Sequence, residues 1–245
     1  MQALKTLLLV ALLALGIWGL RQEYVRHKVT ESLPIRYVRT EGVFQYLSKD
    51  EIKTALMPLV TESIFDADMQ LIQETVAKLP WVKDASVERV WPDTIDIKVH
   101  ERKAYVRWGQ TGLLTEYGEL FSPSNVDQFQ ALLLVAGPKQ QEAKTLEIMK
   151  GVRIALEDRA LEMAEFKVND REAWEIKLKS GLEILLGRTE QLKKLQRFLS
   201  TMPVLGQERM AVMQTVDLRY PNGYAVSWKP DTAPIDWGIP KTKEE

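Results

Sequence analysis

Between residues 47 and 80 the apolar positions fall at helical spacing. Ser48 and Glu51 stand in the S-x-x-E relation of a capping box, with Leu47 and Ile52 placed as a hydrophobic staple. Behind them Ile52, Ala55, Leu56 and Leu59 make the i, i+3, i+4, i+7 stripe of a one-faced helix. A second helix begins at Asp66 or Asp68. Its stripe is Met69, Ile72, Val76 and Leu79, and Pro80, which has no N–H to donate, ends it. The period then changes to two. Residues 85–91 and 95–101 read as strands of a hairpin around Pro92-Asp93-Thr94, and Ile95, Ile97 and Val99 alternate with Asp96, Lys98 and His100. With a strand over 35–41, the order strand, helix, helix, strand, strand predicts a small α+β domain over 34–103, both helices on one face of a three-stranded sheet.

The C-terminal half is richer in hairpin signals. Residues 113–115 and 119–121 flank Tyr117-Gly118, 132–135 read as a buried strand stopped by Gly137-Pro138, and 174–179 and 182–186 flank Ser180-Gly181. Helices are expected near 143–162 and 190–202. Strands 216–220 and 224–228 flank Pro221-Asn222-Gly223, a turn whose glycine would supply a positive φ. A mostly antiparallel β domain with flanking helices is therefore expected over 104–229. The tail, 230–245, mixes prolines and glycine with charges and is expected to be disordered.

Residues 6–20, TLLLVALLALGIWGL, are uncharged, a run of about fifteen against the roughly twenty of a straight spanning helix. Lys5 and Arg21 can snorkel to the two interfaces, and Trp18 stands where an interfacial aromatic belongs. That favours a transmembrane helix over 6–21, after a tail of residues 1–5 and before a linker over 22–33. The alternative is a cleaved signal peptide, with Ala14-Leu15-Gly16 as the small-x-small site. Flanking charge does not settle the orientation.

Composition removes more chemistry than it adds. The 245 residues carry a formal charge of -1, and no basic block marks a nucleic-acid partner. The absence of cysteine excludes disulfides, thiolate metal sites and thiol nucleophiles, and the two histidines, His27 and His100, cannot build a multi-histidine metal site. There is no G-x-S-x-G, G-x-G-x-x-G, P-loop or H-E-x-x-H. Asp66/Asp68 and Asp93/Asp96 are read as a helix cap, and as a turn and wet strand face, rather than as acid–base pairs. Lys193-Lys194 is read as the solvated face of a helix whose dry face is Leu192, Leu195, Phe198 and Leu199. His100 is read as exposed, and Trp81 and Trp91 as packing residues. No catalysis and no cofactor are expected.

Several short motifs carry a resemblance. Val-Arg-Thr-Glu-Gly at 38–42, Leu-Pro-Trp-Val at 79–82, Val-Glu-Arg-Val-Trp-Pro-Asp at 87–93 and Val-His-Glu-Arg at 99–102 follow the hydrophobic run. Trp174, Leu178, Gly181, Leu185-Leu186-Gly187-Arg188 and Val216-Asp217-Leu218-Arg219-Tyr220-Pro221-Asn222-Gly223 continue the series. Over nearly its whole length the chain resembles the bacterial cell-division family FtsQ, called DivIB in Gram-positive relatives. The resemblance implies a bitopic inner-membrane protein, N-terminus cytoplasmic and bulk periplasmic, with a POTRA domain followed by a β domain. Family members usually carry a longer basic cytoplasmic tail, and here five residues precede the run.

The resemblance further implies a non-enzymatic link between early and late division proteins that binds the small bitopic proteins FtsB and FtsL. It places the partner contact at the C-terminal edge. There Arg219 is expected as a charged anchor and Tyr220 as an aromatic one, with Gly223, Ala225 and Trp228 beside them, whereas Val226 is read as core. Physics supports that placement, because 224–228 is the last expected strand and an edge strand recruits a partner by main-chain hydrogen bonds. A strand of the POTRA sheet is a second candidate surface. A POTRA-type periplasmic chaperone or assembly factor is the alternative function, although neither repeated POTRA domains nor a terminal barrel is visible, and a cell-wall enzyme would need convergent acid, base or nucleophile.

Overall fold

The capping box forms as expected: the Ser48 hydroxyl accepts from the Glu51 amide at 3.0 Å while the Glu51 carboxylate accepts from the Ser48 amide at 2.8 Å. These contacts belong to a computed structural model that describes residues 14–23, 33–60, 63–230 and 232–233. Residues 14–23 form helix α1. Residues 1–13, and with them the tail 1–5 and the first half of the run expected to span a membrane, lie outside the described residues, as do 24–32 of the linker and 234–245 of the tail. Among the described residues no helix is long and apolar enough to cross a membrane.

The chain divides into two units, Met1–Arg102 and Lys103–Glu245. In the first, Ser48 starts α2 (Lys49–Leu56), and the Asp68 carboxylate starts α3 (Met69–Ala77) by accepting from the amides of Gln70 and Leu71 at 2.9 and 3.0 Å. Of the two aspartates expected there, only Asp68 caps the helix. Strands β1 (Tyr37–Glu41), β2 (Val82–Val90) and β3 (Thr94–Glu101) pair in the order β1-β3-β2, β1 parallel to β3 and β2 antiparallel to it. The alternation in β3 is realised, since Ile95, Ile97 and Val99 are buried together with Ile52, Leu56, Ile72 and Val76 of the two helices.

The second unit is a nine-stranded sheet ordered β12-β11-β10-β9-β8-β7-β4-β5-β6. Its strands are β4 (Val106–Trp108), β5 (Gly112–Leu114), β6 (Leu120–Phe121), β7 (Leu134–Ala136), β8 (Met163–Val168), β9 (Trp174–Leu178), β10 (Glu183–Gly187), β11 (Met213–Asp217) and β12 (Ala225–Trp228). Five pairings are antiparallel, whereas β4 with β7, β7 with β8, and β10 with β11 are parallel. Parallel neighbours need a crossover, and α4 (Glu142–Glu157) and α5 (Gln191–Val212) supply two of them, β7 to β8 and β10 to β11. The helices bury Leu146, Met149, Val152, Leu156, Leu195, Phe198 and Leu199 in one cluster with Phe166, Ile176, Ile184, Leu186 and Val216 of the strands.

Three expectations change here. The helix expected over 143–162 ends at Glu157, and 163–168 is a strand. The helix expected to stop at residue 202 runs through Pro203 and breaks at Gly206, whose φ of 78° and ψ of 160° are not helical. Lys194 is not on a solvated face: it is buried at 7% exposure, while Leu192, expected on the dry face, is 47% exposed.

Candidate functional site

The last strand lies at the edge of the larger sheet, as its place in the sequence suggested. Among the described residues strand β12 pairs only with β11, in the register Asp217↔Ala225, Val216↔Val226, Thr215↔Ser227 and Met213↔Trp228, with a bulge in β11 between Met213 and Thr215. The Lys229 amide donates to the Val212 carbonyl at 2.8 Å. Hydrogen-bonding direction alternates along an antiparallel strand, so Ser227 and Ala225 bond inward to β11. The N–H and C=O of Val226 and Trp228 therefore point away from the sheet.

Side chains on β12 divide by the same alternation. Tyr224, Val226 and Trp228 are half-buried against the main core, and Tyr224 meets Phe198 edge-on with centroids 5.5 Å apart. Ala225 and Ser227 are exposed on the opposite face. The expectation of core packing holds for Val226 and extends in part to Trp228.

The loop before β12 carries the other expected residues. Strand β11 stops at Asp217, so Arg219 and Tyr220 stand beyond it and are exposed. Arg219 is not a bare cation. Its Nε donates to Asp217 at 2.8 Å and its Nη2 at 2.6 Å, while its own amide donates to the same carboxylate at 3.0 Å. The Arg219 hydrogen bond holds the Asp217 carboxyl below its ordinary pKa, against the opposing effect of burial, and Asp217 holds the Arg219 guanidinium above its own. The stem of Arg219 lies over Gly187, which has φ of 73° and where a Cβ would come within 3.1 Å of Arg219 Cγ. Gly223 is not in the left-handed region expected for it.

Two residues beneath this loop were read from sequence only as solvated or not at all. Arg197 on α5 donates to the carbonyls of Pro221 at 2.5 Å, Tyr220 at 3.2 Å and Gly223 at 3.3 Å. Lys194, one turn earlier, places Nζ 3.4 Å from the Arg219 carbonyl and 3.4 Å from Thr189 Oγ1. Helical spacing contained the signal, because Lys194 stands four residues before the buried Phe198 and so shares its face. Four loop carbonyls are thus held by one helix, and the loop is presented in a fixed shape. The arrangement has the chemistry of a protein-binding edge: outward main-chain groups, a half-neutralised arginine and an exposed tyrosine.

An acid titration tests the pairing of Asp217. Because its pKa is depressed in the folded chain, its contribution is fully present above the unfolded carboxylate value of about 4 and is lost as the pH falls through the lower folded value. Asp217→Asn is expected to remove that increment, so that its melting temperature falls less than that of the natural chain between pH 4 and pH 2. Parallel melting curves would show that the pair makes no difference to stability.

In the first unit β1 and β2 are the edges of the sheet among the described residues, and the side chains of β1 are largely exposed. His100 is exposed, with Nδ1 2.6 Å from Asp84. Trp81 is buried and stacks on Tyr46 at 4.6 Å, whereas Trp91 packs on Phe65 yet remains 52% exposed.

Both halves of the chain match known families. Residues 33–102 match the family described as POTRA domain, FtsQ-type, and residues 104–219 match Cell division protein FtsQ/DivIB, C-terminal. The cell division protein FtsQ of Methylomonas methanica is 48% identical over 235 residues, 96% of this chain and 94% of that protein. The chain belongs to the FtsQ/DivIB family of cell-division proteins. FtsQ of Allochromatium vinosum is 33% identical over 92% of this chain and 90% of its own, and FtsQ of Shewanella oneidensis 31% over 84% and 79%. Residues 33–102 are accordingly an FtsQ-type POTRA domain, and strands β4 to β11 of the large sheet belong to the FtsQ/DivIB C-terminal domain.

Proposed function

We propose that this member of the family is a bitopic inner-membrane scaffold that binds FtsB and FtsL and so links early and late division proteins at the septum. On this reading residues 1–5 are a cytoplasmic tail, 6–21 the transmembrane helix and 22–33 a linker. The POTRA domain, 34–103, and the β domain, 104–229, then stand in the periplasm, followed by the tail 230–245. The protein catalyses nothing and takes no cofactor. One observation carries the reading: β12 ends the nine-stranded sheet with the main-chain groups of Val226 directed outward. A partner strand of FtsB that pairs with β12 bonds to the outward groups of Val226, while Arg219, Tyr220, Gly223, Ala225 and Trp228 select it. Because Asp217 already neutralises Arg219 in part, the guanidinium aligns an incoming carboxylate more than it attracts one from a distance.

A photo-crosslinking amino acid at Ser227, exposed on β12, tests this in dividing cells. It is expected to capture FtsB, whereas the same group at Leu120, on the opposite edge strand β6, is not. Equal capture at both positions, or none at Ser227, would overturn the assignment.

A further inference from the structure

The POTRA unit carries an exposed aromatic cluster that partner binding at β12 does not use. Trp91 is 52% exposed, Phe65 42% and Tyr37 60%, and the rings of Phe65 and Trp91 lie 4.7 Å apart. Arg89 stacks over the Trp91 ring at 5.8 Å and is tied down by a 2.9 Å hydrogen bond to the Ala67 carbonyl. Tyr37, also exposed, stands on β1 beside the turn after Trp91, its amide donating to the Asp93 carbonyl at 3.3 Å. The cluster sits where the chain arrives from its N-terminal segment. The Leu33 carbonyl accepts from the Ile64 amide at 3.1 Å, and Pro34 bridges to Ser63, two residues before Phe65.

We propose that this cluster rests in the headgroup layer of the bilayer that holds the N-terminal helix. The proposal rests on the reading of 6–21 as a transmembrane anchor. From the end of α1 at residue 23 to Leu33 the chain can span at most roughly 35 Å, so the anchor keeps this end of the POTRA unit near the membrane surface. A tether of that length gives an effective concentration of the order of millimolar, at which a small patch suffices for contact. The residue types fit an interface, since tryptophan and tyrosine concentrate at the headgroup level, where one end of the ring is dry and the other wet. The charges exclude a different mode. Arg36 faces Asp93 at 3.9 Å and Arg39 grips Asp96 at 2.7 and 2.9 Å, while Arg89 is engaged by the Trp91 ring and the Ala67 carbonyl, so among the described residues the cations at this end already have partners within the chain. The contact is aromatic, and its strength does not depend on lipid charge.

Fluorine NMR of the full chain, labelled with fluorotryptophan and reconstituted into bilayers of phosphatidylcholine, tests the proposal. Trp18→Phe and Trp91→Phe assign the two signals of interest, and Trp81, buried at 3% exposure, is the reference. With phosphatidylcholine spin-labelled high on its acyl chain, the signals of Trp18 and Trp91 are expected to broaden several-fold while Trp81 stays sharp. Added phosphatidylglycerol is expected to leave the Trp91 broadening unchanged. A Trp91 signal as sharp as that of Trp81 overturns the proposal, including the case in which a partner protein then shifts it. The anchor is judged separately: a sharp Trp18 beside a broadened Trp91 refutes the anchor alone, and two sharp signals refute both.

Discussion

Val226→Pro is expected to abolish partner binding while leaving the large sheet folded. The Val226 amide points away from β11, so proline removes no hydrogen bond of the sheet, and edge positions with an outward N–H are where strands tolerate proline. A strand added to β12 loses a donor there, and its own carbonyl is left without a partner in the interface. A missing hydrogen bond with an unsatisfied group costs about 2–3 kcal/mol, a loss of roughly 30- to 150-fold in affinity. Titration calorimetry of the full chain with an FtsB peptide reads this directly. Val226→Ala separates the two roles of the residue. The Val226 side chain is half-buried against the core, so alanine is expected to cost about 1 kcal/mol of stability and to spare binding. Val226→Pro that binds as tightly as the natural chain would sink the strand-addition reading, and Val226→Ala that binds as poorly as Val226→Pro would move the contact from the main chain to the side chain.

What the residue pattern disclosed and what it hid have separate physical causes. The caps at Ser48 and Asp68, the alternation of β3 and the placing of the last strand at an edge were legible because each depends on local chemistry. The end of α4 was not. The chain turns there at Ala160, whose φ of 55° is left-handed, with no glycine or proline to announce the stop, and Met163–Val168 carries no turn signal at either end that marks it as a strand. Strand β4, three residues long, is too short to show a period. Proline gave the opposite error in α5, where Pro203 suggested a terminus that the backbone makes only at Gly206. The candidate site was legible in position and less so in energetics. Arg219 is expected from sequence as a charged anchor, and its pairing with Asp217 is not legible there because the chain has to leave the strand after Asp217 for the two side chains to meet. Spacing marks the face that Lys194 shares with Phe198, but the partners of Lys194 and Arg197 are carbonyls of a loop whose curvature sequence spacing does not describe.

Glu101→Ala is expected to produce the largest loss of stability at a charged residue of the POTRA unit. Its carboxylate accepts three successive amides, Gln45 at 2.8 Å, Tyr46 at 2.7 Å and Leu47 at 2.5 Å, and so fixes the loop that leads into α2. Leu47 is buried, and its amide has no ready access to water once the carboxylate is gone. A buried donor left unpaired costs about 1–3 kcal/mol, to which the loss of two charge-assisted bonds adds, so a fall of roughly 10–20 °C in the melting of this unit follows. Hydrogen exchange is expected to show amides 45–47 losing protection together, and Glu101→Gln, which keeps one acceptor oxygen, is expected to lie between. A melt unchanged by Glu101→Ala would assign the loop to packing alone. The same residue explains why separate motifs occur in one chain. Gly42 of the first motif lies so close to β3 that a Cβ would stand 2.6 Å from the Val99 carbonyl, and Trp81 of the second stacks on Tyr46. Glu101 and Arg102 of the last then close the group, with the Arg102 amide donating to Trp81 at 2.7 Å and its guanidinium to the Pro80 carbonyl at 2.8 Å. Three motifs far apart in sequence meet at one end of the POTRA sheet and hold a single loop, whereas the Trp-Pro-Asp motif lies at the other end with an exposed ring. Motifs at the first end answer to folding, and the exposed Trp91 is left to answer to something outside the chain.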